Sequence, residues 1–99
     1  MKVRAEDFPY LRDLLGGYFH QDAFGDGATV QDIVRGFNAT SWPYQRLGVR
    51  ADIGRLLHQH GGPGLLAAFE RAFAAHVIIG ATDDEAHRWL TTVEAAIER

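Results

Sequence analysis

Apolar residues recurring at the helical period constrain this chain more than any other feature of its sequence. Tyr10, Leu11, Leu14, Leu15, Tyr18 and Phe19 fall at i, i+1, i+4, i+5, i+8 and i+9. That spacing lines one face of an α-helix and does not fit a strand, whose side chains alternate with period two. The pattern returns in Val30, Ile33, Val34 and Phe37, and again in Val49, Ile53, Leu56 and Leu57. Leu65, Leu66, Phe69 and Phe73 repeat it, as do Ala86, Trp89, Leu90, Val93 and Ile97. Five such stripes predict an all-α fold, a compact single-domain bundle of about five helices closing on one core. "HVIIGA" (76–81) is strand-like in composition but has no second strand to pair with, and reads as a buried connection.

The breaks between stripes carry their own signals. Pro9 suits the first helical turn, where its missing N–H would be unpaired anyway, and Asp7 upstream complements the helix dipole. Gly25–Thr29 reads as a turn ending in an N-cap, with Thr29 accepting the N–H of Asp32. Pro43 drives Trp42 out of helical geometry and ends the second helix. The third helix runs from about Tyr44 to His60, weakened at Gly48 and Gly54 by about 1 kcal/mol each relative to alanine. "GGPG" (61–64) breaks it. Thr82-Asp83-Asp84-Glu85 has the spacing of a capping box, with two further acids against the helix start.

A chain of 99 residues has room for one core, and residues 1–99 read as a single helical domain. Cysteine is absent, which removes disulfides and thiolate metal sites from consideration. The start lacks a signal-peptide apolar core, and no run approaches the ~20 apolar residues of a membrane span. A cytoplasmic protein without a membrane partner is expected. The net charge of −3 lacks the basic excess on which phosphate-backbone binding leans. Arg35, Arg46, Arg50 and Arg55 are candidates for a local basic patch. Such arginines more often lay their stems on apolar surface and keep the charge in water, so no direct nucleic-acid contact is expected.

Catalytic and metal-binding patterns are sparse. His58 and His60 stand two apart on a helix, about 200° from each other, and cannot share an ion. No His-Glu-x-x-His occurs, and "GGPG" lacks the Lys-Ser/Thr that completes a phosphate loop. Ser41, the single serine, lies outside any Gly-x-Ser-x-Gly elbow. Neither a catalytic residue nor a cofactor or metal site is assigned, and the chain is not expected to be an enzyme.

His20-Gln21-Asp22 interrupts the first stripe. Continued as a helix, Asp22 would enter the apolar face, where an unpaired carboxylate costs several kcal/mol. The helix should therefore stop near His20 or Gln21, or Asp22 must be buried with hydrogen-bond partners. A joint that ties down the helix end, a binding surface and a catalytic group are the three readings of these side chains.

The string "FPYLRDLLGGYFHQD" (8–22), the capped second helix and the late "WLTTVEAAIE" (89–98) resemble the small immunity proteins of bacterial contact-dependent growth inhibition systems. The matching positions are Phe8, Pro9, Gly16 or Gly17, Tyr18, Phe19, His20, Gln21 and Asp22. Members commonly place a tryptophan soon after this motif, where this chain has Ala23-Phe24. The resemblance implies a non-enzymatic helical protein that binds the toxic C-terminal domain of the matching inhibition protein, often a nuclease, and neutralises it stoichiometrically. It also implies that Tyr18, Phe19, His20, Gln21 and Asp22 serve the shared fold, because a binding face should differ between members. Exposed acids suit a basic nuclease groove, and aromatic side chains supply anchors. The candidates for partner contact are Asp26, Asp32, Asp83, Asp84 and Glu85, with Trp42 and Tyr44 as anchors. A generic helical interaction module, homodimeric or regulatory and without a toxin, is the competing reading.

Overall fold

Helix termini leave backbone groups unpaired, and in this protein several of them are satisfied by side chains from distant helices. The computed structural model describes residues 3–19, 29–73 and 78–98. A short 3-10 turn, Ala5–Asp7, leads into α1 (Pro9–Tyr18). Then follow α2 (Val30–Thr40), α3 (Pro43–His60), α4 (Leu65–Phe73) and α5 (Asp83–Ala96), with no strand among the described residues. All five predicted helices form, and the fold is all-α. His20, Gln21, Asp22 and Asp26 lie outside the described residues.

The apolar stripes meet in one cluster that includes Leu11, Leu14, Leu15, Val34, Ile53, Leu56, Phe69 and Leu90. Aromatic rings bind the helices edge to face: Phe8 on Phe73 at 6.5 Å, Phe19 on Trp89 at 5.1 Å and Tyr18 on Phe37 at 5.3 Å. The Tyr18 hydroxyl also shares a hydrogen bond with Thr40 at 2.7 Å, fastening α1 to the end of α2. Helix α3 packs against α1, α4 and α5. Of the "HVIIGA" segment, Ile79 is buried, but Ile78 is 87% exposed. The expected buried connection is thus corrected at Ile78, which faces solvent while its neighbour fills the core.

The start of α1 shows what sequence patterning could not place. Phe8, its N-cap, has no side-chain acceptor. Asp52, in the middle of α3 and only 2% exposed, supplies one from 41 and 42 residues away. Its Oδ2 accepts the N–H groups of Tyr10 at 2.8 Å and Leu11 at 3.0 Å. The Phe8 N–H goes to the Ala5 carbonyl and Pro9 has none, so the orphan donors of this helix start are all accounted for. Arg55, one turn along α3, pairs with Asp52, donates to the Asp7 carbonyl at 3.1 Å and lies 5.0 Å from the Phe8 ring centre. Asp7 therefore serves this helix through its backbone carbonyl, while its carboxylate sits in an exposed contact with Arg4.

Two other helix starts carry carboxylates as acceptors. Thr29 and Asp32 form the reciprocal box expected for α2, at 3.1 and 3.0 Å. At α5, Thr82 accepts the Glu85 N–H at 3.1 Å, but the Glu85 carboxylate reaches past Thr82 to the N–H of Ala81. Asp83 points away from its own helix and accepts the N–H groups of Gly64 and Leu66, both at 2.9 Å, capping α4. Gly64 holds a φ of +95°, a conformation that suits glycine and presents its N–H to Asp83.

Helix ends are closed from α3 and α2 as well. Arg46 donates to the Ser41 carbonyl at 2.6 Å, beyond the end of α2. Arg50 donates to Glu94 O at 2.7 Å, and Asn38 donates to Ala96 O while accepting the Glu98 N–H. Cations at a helix C-terminus complement its dipole and its unpaired carbonyls. Arg46 and Arg50, expected to keep their charge in water, are instead turned onto backbone oxygens, while Arg55 stays half exposed.

Replacing Asp52 strands one buried and one part-buried N–H group and breaks an ion pair in which Asp52 is buried and Arg55 half exposed. Asp52→Ala is expected to lower unfolding free energy by about 2–4 kcal/mol, read as a reduced urea midpoint at unchanged slope. Asp52→Asn, whose amide oxygen can still accept from the backbone, should lose less. A loss below about 1 kcal/mol for Asp52→Ala would contradict this role.

Asp83 is held below its ordinary pKa of 3.8 by the N–H groups of Gly64 and then Leu66, and Asp32 by the N–H and hydroxyl of Thr29. A folded pKa below the unfolded one means fewer protons bound when folded, so the stabilisation is complete above the ordinary value. It is lost as pH falls through the folded pKa. Asp83→Ala should therefore melt lower than the wild type at neutral pH, and the two melting curves should converge as pH drops below about 4. A gap that persists unchanged into acid would refute the assignment.

Candidate functional site

The first half of α3 presents the most conspicuous exposed apolar surface. Trp42 is 67% exposed, Tyr44 60%, Leu47 55% and Tyr10, arriving from α1, 37%. Monomeric soluble proteins seldom leave several large apolar side chains together in water without a partner for them. The local sequence explains the placement. Pro43 occupies the first turn of α3, and Trp42 before it is extended at φ −79°, ψ 154°. Its N–H is taken by the Gln45 side chain at 2.7 Å. Tyr44 and Leu47 follow at helical spacing, i and i+3, on neighbouring positions of one helix surface.

Tyr10 was expected in the helix-1 stripe, and the structure moves it to the surface. The reason is the helix-capping contact already described. Asp52 draws the start of α1 against α3, and the Tyr10 ring then comes down on Gly48, where any β-carbon would overlap it. Gly48 thus provides close approach rather than merely weakening its helix. The Tyr10 and Tyr44 rings meet edge to face at 6.4 Å. Between them opens a cleft of about 230 Å³ lined by Tyr10, Asp13, Phe37, Tyr44, Gln45 and Val49. Phe37 and Val49 are buried and form its floor, while Asp13 stands exposed at the edge.

The residues expected to contact a partner do not form one surface. Trp42 and Tyr44 come together, and Tyr10, Leu47 and Asp13, none of them a contact candidate from the sequence, join them. Asp83, Asp84 and Glu85 lie at the opposite end of α3, whose 18 residues span about 27 Å at 1.5 Å per residue. There Asp83 and Asp84 line a shallow cleft with Gly61, Gly62, Pro63 and His87. The Asp83 and Glu85 carboxylates are occupied by backbone N–H groups, as is that of Asp32, which also meets Arg35 at 3.3 Å. Asp84 is exposed.

Of the motif Tyr18 to Asp22, the described part is the aromatic pair. Phe19 is fully buried against Trp89, and Tyr18 is half-buried against Phe37. Among the described residues, no group of three or more His, Cys, Asp and Glu side chains could hold a metal ion. No described helix is long and apolar enough to cross a membrane.

A protein-family comparison matches residues 7–97 to the family described as CdiI immunity protein. Neither the curated proteins nor the solved structures compared with this chain give a match. The family match takes in all five helices, from just before α1 to just after α5. This chain belongs to the CdiI immunity protein family.

Proposed function

We propose that this chain neutralises, by one-to-one binding, the C-terminal toxin domain of a contact-dependent growth inhibition protein. The observation that carries the reading is the aromatic surface of Tyr10, Trp42, Tyr44 and Leu47, joined to membership of an immunity family. Tyrosine and tryptophan are the residue types that most often dominate binding energy, because they offer large, stiff, amphipathic area at little entropic cost. The surface stands on α1 and α3, which are fixed to each other by the Asp52 contact, so little ordering is needed on binding. Neutralisation is steric: the toxin domain is covered or held beside its active site, and this chain carries out no chemistry. The protein acts in the cytoplasm of the cell that makes the toxin, and the toxin domain is a nuclease whose basic groove suits a partner of net charge −3. The acids at the start of α5 are left outside the central contact, since Asp83 and Glu85 already serve helix ends.

The test is co-expression with the toxin domain encoded beside it, followed by affinity measurement. The wild type should restore growth and form a one-to-one complex. Trp42→Ala combined with Tyr44→Ala should weaken the complex by about 100-fold or more and abolish protection. Both side chains being exposed, its stability should change by less than about 0.5 kcal/mol per site. Asp84→Ala should bind as the wild type does. Retained affinity in the aromatic variant, with loss in Asp84→Ala, would move the interface to the other end of α3. Absence of any complex would dismiss the immunity reading for this toxin.

A further inference from the structure

We infer that the cleft between Tyr10 and Tyr44 receives a cationic side chain, an arginine or lysine, of the bound toxin domain. The inference rests on the toxin-binding reading and deepens it by assigning the chemistry of the central contact. Three features of the cleft point to a cation. Its walls are two tyrosine rings that meet edge to face with centres 6.4 Å apart, and the open face of a tyrosine ring attracts cations. Its edge carries the Asp13 carboxylate, which is 75% exposed. Its floor, Phe37 and Val49, is apolar and buried, which suits the methylene stem of an arginine or lysine.

The surroundings leave that carboxylate weakly compensated. Arg46, the arginine of α3 nearest in sequence to the cleft, is turned onto the carbonyls of Ser41 and Asn38 and the Ser41 hydroxyl. Arg50 is turned onto Glu94 and Ile97 at the end of α5. Arg12 approaches Asp13 through Nε at 3.6 Å, but both side chains are exposed, Asp13 the more so, and such a pair contributes little. The positive end of the α3 dipole lies at Trp42, where Gln45 already covers an N–H. Its influence is confined to the first turn, which holds Tyr44 and Gln45, while Val49 and the α1 residues Tyr10 and Asp13 lie outside it. A guanidinium or ammonium group entering here exchanges water for a tyrosine ring face and a carboxylate. In the water-poor centre of an interface, that charge pair becomes stronger than it is on the open surface.

The experiment measures dissociation constants of the complex with the toxin domain for the wild type, Asp13→Asn, Arg12→Ala, Tyr44→Phe and Tyr44→Leu. Asp13→Asn should weaken binding about 10-fold or more, chiefly through faster dissociation, and should flatten the salt dependence of affinity. Arg12→Ala should leave affinity unchanged or improve it, because it removes a competing cation. Tyr44→Phe, which keeps the ring, should stay within about 3-fold, whereas Tyr44→Leu should lose about 10-fold. A tight complex indifferent to Asp13→Asn would overturn the cation seat while leaving toxin binding intact. Failure of the wild type to bind the toxin domain would overturn both.

Discussion

A buried carboxylate in the middle of α3 determines how α1 can begin. The sequence Phe8-Pro9 offers the helix no side-chain acceptor, and Asp52 provides the missing oxygen across the interface. A charge buried to this degree would be costly alone; two backbone donors and Arg55 make it tolerable. The geometry is demanding, because both N–H groups must converge on one oxygen while the guanidinium approaches the other. The contact therefore fixes the register of α1 on α3. With that register set, Tyr10 must lie over Gly48 and beside Tyr44. The interaction that satisfies the helix end also builds the aromatic cleft, so stability and the proposed binding surface share one origin.

The same logic recurs at lower cost elsewhere. Asp83 caps α4 from α5, and Arg46, Arg50 and Asn38 close the ends of α2 and α5. Short helices have a high proportion of unpaired backbone groups, and α4 has just 9 residues. Satisfying those groups from neighbouring helices adds specificity that packing of similar aliphatic stripes could not supply. It also sorts the charges. Arg46 and Arg50, which look like part of a surface patch in the sequence, are committed to the frame, and the surface left over at the start of α3 is aromatic with an acidic edge. That is a surface suited to a basic protein partner rather than to a phosphate backbone.

Much of the fold was legible because helical periodicity reports directly on which face is buried. Leu11, Leu14 and Leu15, or Leu90 and Val93, could hardly be arranged otherwise. Local caps were legible too, since Thr29 and Asp32 are neighbours in the chain. What periodicity cannot show is a contact between residues 10 and 52. Asp52 therefore escaped notice, although a lone acid among Val49, Ile53 and Leu56 was the available signal. Gly48 was a second one: a glycine inside a helix marks either weakness or a close neighbour, and here it marks Tyr10. Trp42 and Tyr44 were candidates by residue type and expected exposure, and both side chains are exposed. The acids of α5 were grouped with them by charge alone, without the length of α3 that separates them.

Solvent access at Trp42 and Tyr44, compared between the isolated chain and its complex with the toxin domain, tests the central claim most directly. Hydroxyl-radical footprinting read by mass spectrometry reports it side chain by side chain, with His87 as the exposed control at the opposite end of α3. On complex formation, oxidation of Trp42 and Tyr44 should fall sharply while His87 stays as reactive as before. Undiminished oxidation of both aromatic residues together with protection of His87 would contradict the account.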